Sequence, residues 1–466
     1  MKSLLRPLFV AMALCVGPMI SYADTLADIY ELALQNDATL KKAEATYKAD
    51  LELEKQAFSS LLPTIVASGS YQEEDTDTKG FNRSTLTQGS TNSETETTTY
   101  NVSLQQNIFN LSAWYSFQSG KETTKKAAAQ FAFDQQDLIV RVAEAYFDVL
   151  RALDNLEASK AEERATKRQL EQTQQRFDVG LIAITDVHEA RAVYDSTVVQ
   201  RLTDEGNLGT SYESLTVLTN RTHANLWLLN KDFPVVDPDP VARDEWVKFA
   251  LKNNHALKAA LYAMESSRQQ ASAKKMGHVP TITGSFSYTD TDNGIDQTPS
   301  PPFDLDSETE GTSWGLELKI PLYSGGLISS QRRQAYEHYN IALQNKIDTQ
   351  RTVIRNTRAS HITVTTDVQR VNARAQAITS TSSALDATQA GYEVGTRNIV
   401  DVLQAQRALY SSIRDYANSR YNYVLNMLKL KRAAGTLTPQ DIYAINQWIV
   451  APDAPTANQY QEYLSR

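Results

Sequence analysis

The sequence predicts an α+β membrane protein built from two tandem structural repeats, each supplying two β-strands and long coiled-coil helices. Three observations carry that prediction. First, the chain repeats itself: Arg176–Ala190 reads RFDVGLIAITDVHEA and Gly391–Ala405 reads GYEVGTRNIVDVLQA, at an offset of 215 residues. Val179, Gly180, Ile184, Asp186, Val187 and Ala190 meet Val394, Gly395, Ile399, Asp401, Val402 and Ala405, and self-similarity at a long period marks a duplicated architectural unit. Second, no proline interrupts the chain between Thr64 and Phe233 or between Leu322 and Thr438, which leaves room for unusually long helices because proline in a helix interior costs ~3 kcal/mol. Third, four short segments alternate apolar and polar residues with the period of a strand.

In chain order, Lys2 and Arg6, the apolar run Leu8–Ile20 and Ser21-Tyr22-Ala23 have the three-part layout of a secretory signal peptide (1–23). The run is too short for a membrane anchor. Cys15 is the only cysteine and lies within that leader, so the exported chain is expected to carry no disulfide. Leu14 stands where a lipoprotein signal wants a small residue.

The first repeat is placed at 24–247 and the second at 248–437. Ala33–Asn36 with Leu40 matches Ala250–Asn253 with Leu257, and Pro63 matches Pro280. Each repeat reads helix, strand, loop, strand, long helix, Gly turn, helix. Ser112–Val179 and Ser329–Val394 are rich in Ala, Gln, Glu, Lys and Arg, good helix formers. As single helices they would each span ~100 Å. After the Gly turns, Val187, Tyr194, Val198 and Leu202, and likewise Val402, Leu409, Ile413 and Tyr416, form the narrow apolar seam of a coiled coil. Residues 438–466 complete the chain as a short helix, with Thr438-Pro439 as N-cap and first turn, and a loose tail.

The strands are expected at about 63–73, 99–109, 280–289 and 313–323, joined in pairs by polar loops at Glu73–Thr99 and Thr289–Thr312. Each is about nine residues, the length a tilted strand needs to cross a bilayer. If each pair runs out and back, Tyr71, Tyr100, Tyr288 and Trp314 fall at the loop end, and Phe109 and Tyr323 at the other. Two aromatic girdles around an apolar band are the mark of a membrane β-barrel. A soluble half-buried sheet alternates equally well, so the pattern alone leaves both open. Four strands cannot close a barrel, and open sheet edges are not tolerated in lipid. The chain must then assemble as two, three or four copies.

Several function classes drop out. A formal net charge of -9 without a Lys/Arg block gives nucleic acid nothing to bind. His188-Glu189 begins like a zinc-protease motif, but Ala192 stands where the second histidine belongs. No P-loop or dinucleotide fingerprint is present, so no enzyme activity, metal or cofactor is expected.

At this point the residues resemble the TolC family of outer-membrane efflux and secretion channels. The resemblance covers nearly the whole chain after the leader. Its most specific parts are Leu181–Asp195, Lys319–Gly326, Gly391–Leu403 and Arg420–Leu437. It implies a homotrimer: a twelve-stranded barrel in the outer membrane of a Gram-negative bacterium, continued by a twelve-helix periplasmic barrel. A mixed belt would be built from about Thr222–Val247 and Thr438–Val450. It further implies docking to a periplasmic adaptor (membrane fusion) protein and an inner-membrane efflux pump or ABC exporter, with passive passage of small molecules or proteins.

For the gate at the periplasmic tip, the resemblance implies that Tyr392 bonds Asp186. It also implies that Arg397 bonds Thr185 locally and Asp186 of the next protomer. Asp401 matches a pore-constricting carboxylate, while Gln404 stands one turn on, where the family's best-known member has a second aspartate. A single carboxylate ring and weaker multivalent-cation block follow. The plainer reading is that Asp186 and Asp401 only cap the helices after each turn. Val179, Gly180 and Leu181, with Val394, Gly395 and Thr396, are candidate adaptor-docking turns, or turns and nothing more. A periplasmic adaptor or a structural coiled coil of the envelope remains the alternative function.

Overall fold

The computed structural model describes residues 24–82, 87–298 and 306–452. The signal peptide and the tail beyond Pro452 lie outside the described residues.

The duplication is visible element by element. The first repeat runs α1 (Leu26–Asn36), α2 (Ala38–Ser59), β1 (Thr64–Asn82), β2 (Thr87–Phe109), α3 (Leu111–Asp178) and α4 (Ile184–Thr219). After the short strand β3 (Leu228–Leu229), the second runs α5 (Arg243–Asn253), α6 (His255–Lys275), β4 (Thr281–Thr298), β5 (Ser307–Lys319), α7 (Leu327–Glu393) and α8 (Ile399–Ala434). Helix α9 (Pro439–Asn446) and strand β6 (Ile449–Val450) follow. The paired Ala-Leu-x-Asn motifs mark a corner in each repeat, because the next residue caps a new helix. Asp37 accepts from the Leu40 amide at 2.8 Å, and Asn254 from the Leu257 amide at 3.0 Å.

Helices α3 and α7 are 68 and 67 residues long, and α4 and α8 are 36 each. Among the described residues no helix is long and apolar enough to cross a membrane. The chain divides into two compact units. One holds Lys41–Gln135 and Val247–Thr357; the other holds the chain up to Leu40, Gln136–Trp246 and the residues from Arg358 onward.

The first unit carries one four-stranded antiparallel sheet in the order β1-β2-β4-β5. The strands outrun the expectation: β1, β2, β4 and β5 are 19, 23, 18 and 13 residues long. Most of Glu73–Thr99 and Thr289–Thr312, expected as loops, is paired strand, from Gln72 opposite Thr97 to Asn82 opposite Thr87. The ladder bonds belong to the backbone and need no apolar face, and threonine suits a pleated surface. Apolar alternation therefore marked only part of each strand. At the other end β5 stops at Lys319; Pro321 has no amide hydrogen for the ladder, so Tyr323 lies beyond the strand.

Register decides which residues share a face. Ile65, Leu104, Phe286 and Trp314 lie in one row across the four strands, and Ala67, Val102 and Tyr288 in the next. Toward the sheet base, Phe109 pairs with Ile282, which pairs with Leu318. The opposite face presents Ser103, Ser287 and Ser313 in one row and Ser68, Asn101 and Thr289 in the next. The apolar face is continuous and exposed, with Trp314 83% accessible. Among the described residues the outer strands β1 and β5 each keep one unpaired edge.

In the second unit the middle of α3 is buried from Leu138 to Leu150, apart from Arg141 and parts of the turns between. Tyr146 donates to the Trp227 carbonyl at 2.6 Å, and Arg141 reaches Asp37 at 2.8 Å. Tyr421 of α8 donates to Asp154 at 2.6 Å. Burial pushes the Asp154 carboxyl up to about 6, against the lowering effects of the Tyr421 hydroxyl and Arg420. Strand β3 pairs with β6, and Asp441 accepts from the Thr438 amide at 2.8 Å to start α9. These segments fall within Thr222–Val247 and Thr438–Val450 and are joined to each other by the β3–β6 pairing.

Candidate functional site: the paired helix turns and the lipid face

The two Gly turns fold alike. After α3, the Leu181 amide donates to the Arg176 carbonyl at 2.9 Å and the Gly180 amide to Phe177 at 2.8 Å. After α7, the Thr396 amide donates to Gly391 at 2.8 Å and the Gly395 amide to Tyr392 at 3.1 Å. This six-to-one and five-to-two pattern is the Schellman motif. It requires a left-handed residue, supplied by Gly180 (φ 79°) and Gly395 (φ 80°). Val179, Leu181 and Val394 stand 70%, 73% and 75% exposed around these glycines, an unusual place for apolar side chains.

The caps that follow differ. Asn398 and Asp401 form a full capping box at the start of α8, the Asp401 amide donating to Asn398 at 2.8 Å. At the equivalent place Ala183 offers no side-chain cap to α4. The capping reading therefore holds for Asp401 and fails for Asp186. Among the described residues the Asp186 carboxylate has one neighbour in hydrogen-bond range, the adjacent Thr185 hydroxyl at 3.4 Å.

Within one protomer the expected gate bonds are not made. Arg397 does not reach Thr185. Its guanidinium lies 3.9 Å from Asp401 instead, because the capping box holds that carboxylate at the start of α8, just beyond the turn that carries Arg397. Tyr392 does not reach Asp186, and its buried hydroxyl has no hydrogen-bond partner among the described residues. Its ring packs against the small core of Ala190, Ile399, Val402 and Leu403. Gln404 is exposed on α8, one turn beyond Asp401.

One residue of the tip was missed in the sequence. The Arg176 guanidinium sits 4.7 Å from the centre of the Tyr392 ring, tying α3 to α7 by a cation–π contact. The signal was there in the repeat: Arg176 and Gly391 are equivalent positions. A Cβ at Gly391 would lie 2.8 Å from Arg397 Cγ, so the glycine leaves room for one arginine where the other repeat supplies another. An open-sided cavity of about 440 Å³ adjoins this contact, lined by Gln169, Gln172, Gln175, Arg176, Gln389 and Tyr392 among others.

On the sheet, the loop-end aromatics form a diagonal. Tyr100 pairs with Gly69, two residues from Tyr71; Tyr288 pairs with Val102, two from Tyr100; Trp314 pairs with Phe286, two from Tyr288. All three steps run toward the sheet base. Strands about 4.8 Å apart, rising ~3.3 Å per residue and tilted by about 45°, need a step of roughly 1.5 residues per strand to hold a constant height. The diagonal across the ladder is close to the step that residues at one height would need if the sheet curved into a barrel at that tilt. Phe109 lies at the base of β2, and Tyr323, 89% exposed, in the turn before α7.

One further constellation has the order of a hydrolase triad: His223 contacts Asp24 at 2.6 Å and Thr219 at 2.7 Å. Thr219 is 1% exposed, so no substrate reaches it, and the trio fastens the start of α1 to the segment after α4.

Comparison with known proteins gives the same answer along the whole chain. The family model described as outer membrane efflux protein matches residues 29–221 and 246–436, one segment per repeat. The outer membrane protein TolC of Vibrio cholerae serotype O1 is 36% identical, covering 96% of this chain and 98% of that protein. TolC of Escherichia coli strain K12 is 34% identical, covering 98% and 93%. The CmeC outer membrane channel of Campylobacter jejuni shares the fold, with a TM-score of 0.72 at 18% identity over 91% of this chain and 89% of that one. Nothing here favours a periplasmic adaptor or a purely structural coiled coil. With both repeats matched and these relatives similar over nearly their full length, the chain belongs to the outer membrane efflux protein family and is a channel of the Gram-negative outer membrane.

Proposed function

We propose that three copies of this chain close into one duct that carries small molecules, proteins or both out of the periplasm when docked to an adaptor and an inner-membrane pump or ABC exporter. The observation that carries this is the register-continuous apolar face on a four-stranded sheet with an unpaired edge on each side. Edges in lipid must be paired. Two copies would give eight strands, whose interior side chains fill the barrel; three give twelve and leave a passage. The hydroxyl and amide side chains on the other sheet face suit a water-filled lumen.

At the tip, the groups left unsatisfied in one protomer are those that assembly would use. Asp186 is open to a neighbour, the Tyr392 hydroxyl is unpaired, and Arg397 holds Asp401 only at 3.9 Å. On closure, Arg397 and Tyr392 bond Asp186 across the helix pairs. Each charge-assisted bond is worth ~1.5–3 kcal/mol, so a few hold the tip shut while docking can still part them. Asp401 then rings the constriction and favours cations. The exposed Val179, Leu181 and Val394 form the apolar part of the adaptor-docking turns, with Gly180, Gly395 and Thr396 shaping them.

Single-channel conductance in planar bilayers tests this, comparing wild type with Tyr392→Phe/Arg397→Ser. A small, cation-selective conductance that rises in the double variant is the expected result. An unchanged conductance overturns the gate, and no conductance from inserted, assembled protein overturns the duct.

A further inference from the structure

The sheet-bearing unit contains a cationic cavity that neither the duct nor the gate uses. It lies between α6 and α7, has a volume of about 500 Å³, and is lined chiefly by Arg268, Lys275, Arg332, Arg333, Tyr336 and Tyr339, with Glu337 at its side. Four cations against one carboxylate give the lining a formal charge of +3 in a chain of -9. Three of the four cations are not neutralised locally. Arg268 pairs with Glu265 at 2.5 Å, but Lys275, Arg332 and Arg333 have no ion pair among the described residues. Glu337 accepts from Asn340 at 3.0 Å instead of from Arg333 four residues earlier, in keeping with the poorer order of a cation N-terminal to its anion. Lys275 gains from the C-terminal dipole of α6; that account does not extend to Arg332 and Arg333, which sit near the N-terminal end of α7.

The cavity's height matters as much as its charge. Helix α6 leads into β4 through the short turn Met276–His278, and α7 begins eight residues after β5 ends. Thr281 and Lys319 pair at the sheet base, directly beneath the apolar row of Ile282 and Leu318. Arg332, Arg333 and Tyr336 lie about 8–14 Å into α7 at 1.5 Å per residue. Side chains lean toward a helix's N-terminus, here toward the sheet, and long cationic side chains snorkel to the membrane surface. A bilayer's polar zone extends roughly 5–8 Å beyond each side of its hydrocarbon core. The guanidinium groups therefore reach phosphate depth. Tyr336 and Tyr339, 6.1 Å apart between ring centres, add the amphipathic aromatic wall found where one end of a ligand is apolar and the other wet.

We propose that this cavity binds the phosphate headgroup of an anionic phospholipid from the periplasmic leaflet, with Arg332 and Arg333 as its principal donors. This rests on the membrane placement of the sheet and is independent of the tip gate. Planar guanidinium groups suit phosphate oxygens, and the volume suits a headgroup with its glycerol.

The test uses the assembled, delipidated protein in detergent, titrated with phosphatidylglycerol or phosphatidylcholine and read by native mass spectrometry. Phosphatidylglycerol should saturate at one copy per protomer and bind roughly tenfold or more tighter than phosphatidylcholine. Arg332→Gln/Arg333→Gln should abolish that difference, while Arg351→Gln, about 27 Å further along α7, should leave it intact. Circular dichroism and the assembled mass establish that each variant folds. Should a double variant fail to assemble, carbene crosslinking of wild type with a headgroup-labelled phosphatidylglycerol decides the matter by whether Tyr336 is labelled. Equal retention of both lipids by wild type, or an unaltered preference in the folded double variant, overturns the proposal. So does full displacement by inorganic phosphate at the same concentration, which would make this a free-anion site.

Discussion

The two Gly turns are the same piece of backbone put to different uses. Both close with a Schellman motif on a left-handed glycine, and both place an aspartate three residues after the N-cap. In the second turn Asn398 engages that aspartate, so Asp401 is held in place by its own helix. In the first turn the Ala183 side chain has nothing to engage, and the Asp186 carboxylate meets only the Thr185 hydroxyl among the described residues. The positions three residues before each turn diverge as well: Arg176 reaches across to Tyr392, and Gly391 clears space for Arg397. Duplication preserved the geometry, and changes of single side chains left one aspartate fixed by its own helix and the other uncapped, a difference that suits the constriction and gate roles proposed for them.

Removing each aspartate should separate the two roles, and this is the largest effect expected. Asp186→Ala should raise the open-channel probability roughly tenfold or more, since each charge-assisted bond it accepts is worth ~1.5–3 kcal/mol, and should barely alter thermal stability. Asp401→Ala should cut cation selectivity and lower stability by about 1 kcal/mol through loss of the capping box. Bilayer conductance and thermal unfolding of the same preparations check both. Matching behaviour in the two variants would erase the distinction between the turns.

The constriction can be sharpened by adding charge. If Asp401 rings the constriction as proposed, Gln404 beside it leaves the wild type a single carboxylate ring, and hexamminecobalt(III) should block it weakly. Gln404→Asp would place a second carboxylate one helical turn along, and block should tighten by about tenfold or more, since a trivalent ion sees three additional charges at short range. Titration of the blocked current measures this directly. Tight block of the wild type would show that Glu189, the repeat counterpart of Gln404, already supplies the missing ring.

Turning the first turn into a copy of the second is a subtler intervention. Ala183 has φ -83° and ψ 154°, the extended geometry of an N-cap, so Ala183→Asn can adopt it without strain. It should stabilise α4 by about 0.5–2 kcal/mol and draw Asp186 into a local capping box. Stability should therefore rise while the gate loosens, a pairing opposite to what added order would suggest. If conductance falls instead, Asp186 acts from within its box and openness is not what suits it to the gate.

Much of this was legible before the fold was known, for physical reasons that particular residues show. Gly180 and Gly395 announced themselves because left-handed turns leave few alternatives. The apolar face was legible because strand alternation is local, and register then assembled Ile65, Leu104, Phe286 and Trp314 into one row. Beyond the lipid, hydropathy has no reason to alternate, so the threonine-rich continuations of β1 and β2 read as loop. The unmade bonds of Arg397 and Tyr392 were hidden for another reason. Arg397 turns to Asp401 because Asn398 holds that carboxylate close by, and the Tyr392 hydroxyl is buried within its own chain; neither fact is written in the charged residues themselves.

Arg176 gives the smallest effect and the most specific one. Its contact with the Tyr392 ring is half-buried at the helix ends, where a cation–π pair is worth about 0.5–1 kcal/mol. Arg176→Ala should cost about that much stability, and Arg176→Lys should recover only part of it, because the flat guanidinium stacks where an ammonium does not. The conductance readout separates packing from gating. If Arg176 holds the Tyr392 ring so that its hydroxyl faces the neighbouring protomer, Arg176→Ala should raise conductance in the wild type. In a Tyr392→Phe background, which has no hydroxyl left to aim, it should change little. An equal rise in both backgrounds would make Arg176 a general brace of the tip, and its pairing with the ring would then have no separate part in closing the channel.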